Sequence, residues 1–356
     1  MTDPTPYLDR IEQSIADART EFHQTTTAYT KMKQPISPSS HWGKGDAWLD
    51  DAVLGAEELR ALLTPPPPPP PPPSFDPRTN WQRKPWNEDA TAQPVDPLSA
   101  ALVSTWVSRG NIKSPNVCTN AYSQAWCVGG ANDPRCTINV VTYGKKTILA
   151  VPIPVGTKSS SDSDAHLVIF DTVAKREIDL WQAKQLDGFT WQAGSGDVFP
   201  LGSDPAPGQG SNAAGFPAMA LSIWPEEIAA GHIDHALAFS VLKAKGKTLP
   251  QPFRYPATKT DGVGDAQDLP EGVWLAMPYL EIPNTTWPKW LWPIWNALKD
   301  HGMYLMDQGG SLGIAGVNPI NGGMKWSDVG MGTGGSIQLP SDFPFASMRV
   351  LAEPTP

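Results

Sequence analysis

Nine consecutive prolines, Pro65 to Pro73, constrain this chain more than any other feature. Proline fixes its own φ and removes a backbone donor, so the run can enter neither a helix interior nor a sheet. It favours a polyproline II rod, roughly 28 Å long at about 3.1 Å per residue. A rod of that kind holds two bodies apart. No basic residue flanks it as in a docking motif, so a spacer is expected rather than a ligand for a proline-reading domain.

Before the rod, Leu8, Ile11, Ile15, Ala18, Phe22, Thr25, Tyr29 and Met32 recur at alternating steps of three and four. That is a heptad seam, which keeps one apolar stripe facing a partner helix. The spacing predicts a coiled-coil stalk or assembly helix over 1–35, stopped by Pro35, with Leu8, Ile11, Ile15, Ala18 and Phe22 at the oligomer seam. A homo-oligomer, favoured as a trimer, is the expectation. The alternative is one amphipathic helix lying on the protein's own body. A loop and short helix are expected over 36–64, then the rod and an extended connector over 65–97.

Beyond the connector the pattern changes. A helix is predicted at 97–109, between Pro97 and Gly110. Short strands then dominate. Thr137–Tyr143 and Thr147–Val151 read as a hairpin, and His166–Asp171 with Glu177–Gln182 as another. Phe189–Gln192 and Ile233–Val241 are further strands, and Met303–Asp307 with Leu312–Ala315 reads as a tight hairpin around Gly309-Gly310. Short helices are expected within 217–230 and at 293–301, and a long Gly/Ser/Asp/Pro loop over 194–215. The predicted fold is mainly β: a β-sandwich or jelly-roll-like globular domain over 98–356 with a few short helices.

Composition narrows the function. The net charge is −9 and no run of basic residues exceeds two, so nucleic-acid binding is not expected. The Trp-dense segment 287–295 contains Pro288, Lys289 and Pro293 and is too short and interrupted to span a bilayer. The opening Met1-Thr2-Asp3-Pro4 carries neither the basic nor the apolar region of a secretory signal, so a soluble protein that does not leave its cell by the ordinary secretory route is expected. Cys118, Cys127 and Cys136 are spaced nine apart with no nearby His, which does not fit a zinc site. One disulfide with a spare thiol and three free thiols both remain open. No cofactor or metal is expected.

His166, Asp171, Asp234, His235 and Asp307 lie at or near predicted strand ends, where one sheet could gather them. A His with carboxylates could serve acid–base cleavage of a sugar or ester. The structural alternative is that Asp171 and Asp307 start turns and that both histidines belong to the core. Trp287, Trp290, Trp292 and Trp295 could form a sugar-stacking platform or could lid the core. Ligand contacts are expected from that segment and from Asp197 and Asp204 of the 194–215 loop. No nucleophile elbow, zinc-protease motif or phosphate loop is present.

Several motifs, in order and spacing, carry a resemblance over about 98–350. They are Ser163-Asp-Ala-His-Leu-Val-Ile-Phe-Asp171, Asp179-Leu-Trp-Gln-Ala183, Ala214-Gly-Phe-Pro217, Ile228-Ala-Ala-Gly-His-Ile-Asp-His-Ala-Leu237, His301-Gly-Met-Tyr-Leu-Met-Asp-Gln-Gly-Gly310 and Ser341-Asp-Phe343. They resemble a family of mostly secreted actinobacterial proteins, which implies a β-rich fold and lends no activity. Here the heptad helix and proline rod stand where those relatives carry signal peptides. That exchange looks like a minor tail protein of an actinobacterial phage. It implies a virion component that meets other tail proteins and the host's envelope polysaccharide. The alternatives are a wall- or polysaccharide-degrading enzyme and a purely structural tail or baseplate subunit.

Overall fold

A computed structural model describes residues 75–354 apart from 82, 84, 203–208 and 279–283, together with Gln13, Ala16, Asp17 and Thr20. The chain divides into two compact units, Met1–Ser74 and Phe75–Pro356. In the first, the four described residues are helical and exposed. The seam residues Leu8, Ile11, Ile15, Ala18 and Phe22, and the proline run, lie outside the described residues.

The second unit is mainly β. Three helices, α1 (Ser99–Ser108), α2 (Pro225–Ala230) and α3 (Leu291–Asp300), accompany three sheets. The largest sheet takes β1 (Asn116–Cys118), β10 (Leu237–Val241), β11 (Trp274–Ala276), β12 (Met303–Gln308), β13 (Gly313–Ile314), β15 (Ser336–Gln338) and β16 (Arg349–Val350), in the order β15-β1-β13-β10-β12-β11-β16. A middle sheet takes β2 (Gln124–Gly129), β5 (Leu167–Asp171), β6 (Arg176–Trp181), β9 (Ser195–Pro200) and β14 (Val317–Asn318), ordered β14-β2-β5-β6-β9. A third takes β3 (Arg135–Val140), β4 (Lys146–Pro152), β7 (Lys184–Gln185) and β8 (Thr190–Ala193), ordered β4-β3-β8-β7.

Alternation along the strands explains the layering. Successive side chains of a strand point to opposite faces. Leu167, Ile169, Ile178 and Leu180 of the middle sheet pack with Ile138, Val140, Ile148, Val151 and Trp191 of the third sheet. These two sheets therefore enclose a small apolar core between them. The intervening Val168 and Phe170, with Phe199 of β9, face the other way into the large core, beside Leu237, Phe239, Tyr304 and Leu305. The middle sheet is thus covered on both faces, which is why β5 reads as an unbroken apolar run.

The pairing departs from a jelly roll, whose sheets are antiparallel. β2 runs parallel to both β5 and β14, β3 to β8, and β10 to β12. The 135–152 and 167–181 hairpins form as expected. The one expected around Gly309-Gly310 does not. The chain reverses there, but β10 inserts between β12 and β13. Ala238 and Phe239 are fully buried and pair on both edges, which a lone two-stranded turn could not provide.

Two more expectations are corrected. The connector expected to reach residue 97 is cut short, because from Phe75 the segment belongs to the second unit. Its Trp81 and Trp86 are buried, and Trp86 meets Phe216 and Tyr304 edge-on at ring separations of 5.3 and 6.2 Å. The 194–215 loop begins as strand β9, which completes the edge of the middle sheet beside β6.

Candidate functional site

The five expected catalytic residues do not converge. Asp171 accepts hydrogen bonds from the N–H groups of Val173 and Ala174 at 3.0 and 2.9 Å and from Arg176 Nε at 2.8 Å. It ties the β5–β6 turn, as a turn-starting Asp does. Asp234 is exposed, 3.6 Å from the equally exposed His232. His235 is buried, with Nδ1 2.7 Å from Ala236 O and Nε2 3.1 Å from Glu227 Oε1. Burial pulls its pKa down, but the Glu227 carboxylate outweighs burial and raises it. Glu227 also accepts the Trp224 N–H at 2.9 Å, so this pair fastens the start of α2. His166, at the head of β5, has its pKa lowered by burial against the pull of Asp164 and Asp162, and its Nδ1 has no hydrogen-bond partner.

The tryptophan platform is mostly core. The helix expected at 293–301 is α3 and begins two residues earlier, at Leu291, so it takes in Trp292 and Trp295. Trp287 stacks on Phe343 at 5.2 Å and meets Trp295 edge-on at 5.7 Å, and both indoles are buried. Trp290 packs against the same core, which leaves only Trp292, 39% exposed, facing solvent. The buried face of α3 carries Leu291, Pro293, Ile294, Trp295, Ala297 and Leu298, so its one indole, Trp295, belongs to the core. Asp204 lies outside the described residues.

Asp307 and Asp197 do share a neighbourhood, centred on Lys259. The Lys259 ammonium donates to Gly210 O at 2.5 Å. Burial lowers its pKa, opposed by the charges of Asp197, Asp307, Glu271 and Asp261. Asp197 accepts from Lys146 Nζ at 2.5 Å and from the Gly210 N–H at 2.7 Å, closing the loop that follows β9. Asp307 is half-buried and accepts the Gln308 N–H at 2.7 Å. Burial, then the nearby Asp261, pushes its pKa up to about 7. Glu271 is fully buried, and burial, then Asp307, pushes its pKa up to about 9. Asp261 is exposed, and its carbonyl accepts from Gln308 Nε2 at 3.3 Å. Asp307, with its pKa raised into the neutral range, beside an exposed second carboxyl is a pairing that acid–base cleavage can use.

A second acidic pair lies deeper. Glu177 and Asp179 share one face of β6 and are fully buried in the large core. Glu177 Oε2 accepts Trp81 Nε1 at 2.7 Å and Asn80 Nδ2 at 3.4 Å, and Asp179 Oδ2 accepts the Ala218 N–H at 2.7 Å. Burial raises the pKa of both, Asp179 to about 7. One oxygen of each is left without a partner, so the pair holds a proton in place of a counter-ion.

The composition-based expectations concern groups the structure also places. Cys118, Cys127 and Cys136 are free thiols, the last two buried. Among the described residues no helix is long and apolar enough to cross a membrane, and no group of His, Cys, Asp and Glu is arranged to hold a metal ion. Sequence reasoning missed Lys259, Asp261, Glu271, Glu177 and Asp179. Only the last two carried a signal: carboxylates alternating with Ile178 and Leu180 on a strand whose other neighbours are apolar. Comparison with protein-family models, characterised proteins and solved structures finds no match for this chain.

Proposed function

We propose that this chain is a phage tail component that presents its β-rich domain to the envelope polysaccharide of an actinobacterial host. In this reading the heptad segment assembles a homotrimer and contacts other tail proteins, and the proline rod spaces the domain from that assembly. The layered, sandwich-like packing of the middle and third sheets makes the presented body rigid. The observation that carries the reading is the division of the chain: the compact β unit starts at Phe75, two residues after the last proline. A spacer directly abutting a folded body is what a presentation device needs. The test is co-sedimentation of the full chain with delipidated, protease-treated actinobacterial walls, together with mass spectrometry of purified virions. Saturable wall binding and presence in virions are expected. Absence from virions refutes the tail assignment, and virion presence without wall binding leaves a structural subunit.

The protonated Asp307 beside exposed Asp261 favours a second reading, cleavage of that polysaccharide. Release of reducing sugar from walls, lost in Asp307→Asn, is its signature. Equal release by both proteins, or none by either, refutes it.

A further inference from the structure

We infer that Tyr143, Trp181 and Asp164 form a subsite that stacks and hydrogen-bonds one sugar ring of the glycan. This rests on the glycan-facing reading above and adds the place of contact.

Tyr143 follows β3 and is 64% exposed, so much of its ring is open to solvent. Its ring lies 6.0 Å from that of Trp181, at 41°. Two aromatic planes at that angle form an open corner rather than a closed stack. The apolar C–H face of a pyranose fits such a surface, and the hydroxyls at its rim need polar partners. Asp164 supplies them. Its Oδ1 accepts Trp181 Nε1 at 3.2 Å, which fixes the indole and places a carboxylate at the ring's edge. The exposed amide of Gln182 stands next to it in sequence.

The corner is built before any ligand arrives. The Tyr143 N–H donates to Gly194 O at 2.9 Å, and the Gly194 N–H donates to Trp181 O at 2.9 Å. A Cβ at Gly194 would stand 2.7 Å from Gln182 Oε1 and 2.9 Å from Trp181 Cε3, so glycine is what lets the indole lie against the backbone. Gln182 and Ala165 both hold left-handed backbones, at φ 53° and 43°. They face one another, with the Gln182 N–H donating to Asp164 O at 2.7 Å and the Ala183 N–H to Ala165 O at 3.0 Å. Non-glycine residues adopt that conformation at a cost of about 1 kcal/mol or more each, and such strain concentrates at ligand sites. Here it falls on the residue directly after Asp164 and the residue directly after Trp181. A single preformed subsite of this size binds weakly, so a trimer would supply the avidity.

The experiment is binding of the full chain to the same walls, untreated and after periodate cleavage of their vicinal diols. Wild type is expected to bind untreated walls and to lose binding to oxidised ones. Tyr143→Ala weakens binding about 3- to 10-fold, the range of one aromatic contact, and Tyr143→Phe restores it. Asp164→Asn weakens it while the thermal midpoint stays near wild type. Trp292→Ala, on the exposed tryptophan of α3, leaves binding unchanged. Wild type failing to bind untreated walls overturns the glycan-facing reading and this inference with it. Wild-type binding that survives in Tyr143→Ala and Asp164→Asn, or that persists on oxidised walls, overturns the inference alone.

Discussion

Replacing Glu271 by Gln should reverse sign with pH. The side chain is fully buried, and its pKa is pushed from 4.5 to about 9, by burial and then by Asp307. Between those values the folded state keeps a proton that the unfolded chain has released. Folding stability therefore falls as pH rises, by about 1.4 kcal/mol per pH unit at most. The contribution is intact below pH 4.5 and is lost progressively up to pH 9. Glutamine is nearly isosteric and never ionises, so it removes this slope. Its amide also brings a buried N–H without a partner, at a cost of about 1 kcal/mol or more. At pH 5 the variant should be equal to wild type or about 1 kcal/mol less stable. At pH 9 it should be more stable by about 4 kcal/mol. Urea denaturation of the full chain from pH 5 to 9, followed by far-UV circular dichroism, reads the difference. A wild-type-minus-variant difference constant to within about 0.5 kcal/mol across that range would falsify the neutral, buried carboxyl.

Other perturbations have equally definite outcomes. Trp81→Phe removes the N–H that Glu177 accepts at 2.7 Å, and should cost about 2 kcal/mol in the same assay at pH 6; a loss below about 0.5 kcal/mol contradicts the bond's role. Gly129→Ala places a Cβ 1.9 Å from Pro152 O, a backbone atom that cannot step aside. It should destabilise by about 3 kcal/mol or more and depress soluble yield, so a wild-type melting curve refutes the packing of β2 on β4. Burial pushes the Cys127 thiol up to about 12, so a thiol reagent at pH 8 should label it only on unfolding. Rapid labelling of Cys127 in the native protein would show that the small core opens easily.

The two hairpins at 135–152 and 167–181, and helix α1, were legible because their signals are local. Period-two alternation, a turn residue and a terminating glycine all lie within one short window. What was illegible depends on distant chain. Nothing near Leu237 says that β10 will wedge between β12 and β13. Nothing near Trp81 says that a polar, proline-rich stretch will deliver its indole to a carboxylate 96 residues away. The candidate site failed for the same reason. His166, Asp171, Asp234 and His235 each looked catalytic by type, yet Asp171 ties its own turn, His235 fastens α2 through Glu227, Asp234 lies exposed beside His232, and His166 sits at the head of β5. Lys259, Asp261 and Glu271 belong to no motif or periodic segment, so nothing local marked them, and Glu271 is buried only by the tertiary fold.

The strand β6 links the buried acids to the surface corner. Glu177, Asp179 and Trp181 lie on one of its faces, and Ile178 and Leu180 on the other. A slip of one residue against β5 or β9 would exchange the two sets. Glu177 and Asp179 would then enter the apolar space between the middle and third sheets, away from Trp81 Nε1 and the Ala218 N–H. Burying a carboxyl without those bonds costs several kcal/mol per group. Ile178 and Leu180 would in turn face the donors left unpaired. The acidic pair therefore fixes the register of β6 more strictly than its apolar residues alone could. Trp181 comes two residues after Asp179, where the strand reaches solvent, so the same register fixes the height and face at which its indole emerges. If the corner binds sugar, a substitution that changes the length of the side chain at 179 should blunt binding by moving Trp181, at pH values where the fold itself survives. Glutamate at 179, one methylene longer, should shift the Tyr143–Trp181 geometry. Asparagine, of matching shape, should leave wall binding within about twofold of wild type, a difference of about 0.4 kcal/mol. Equal binding by both variants would separate the platform from the register that this argument gives it.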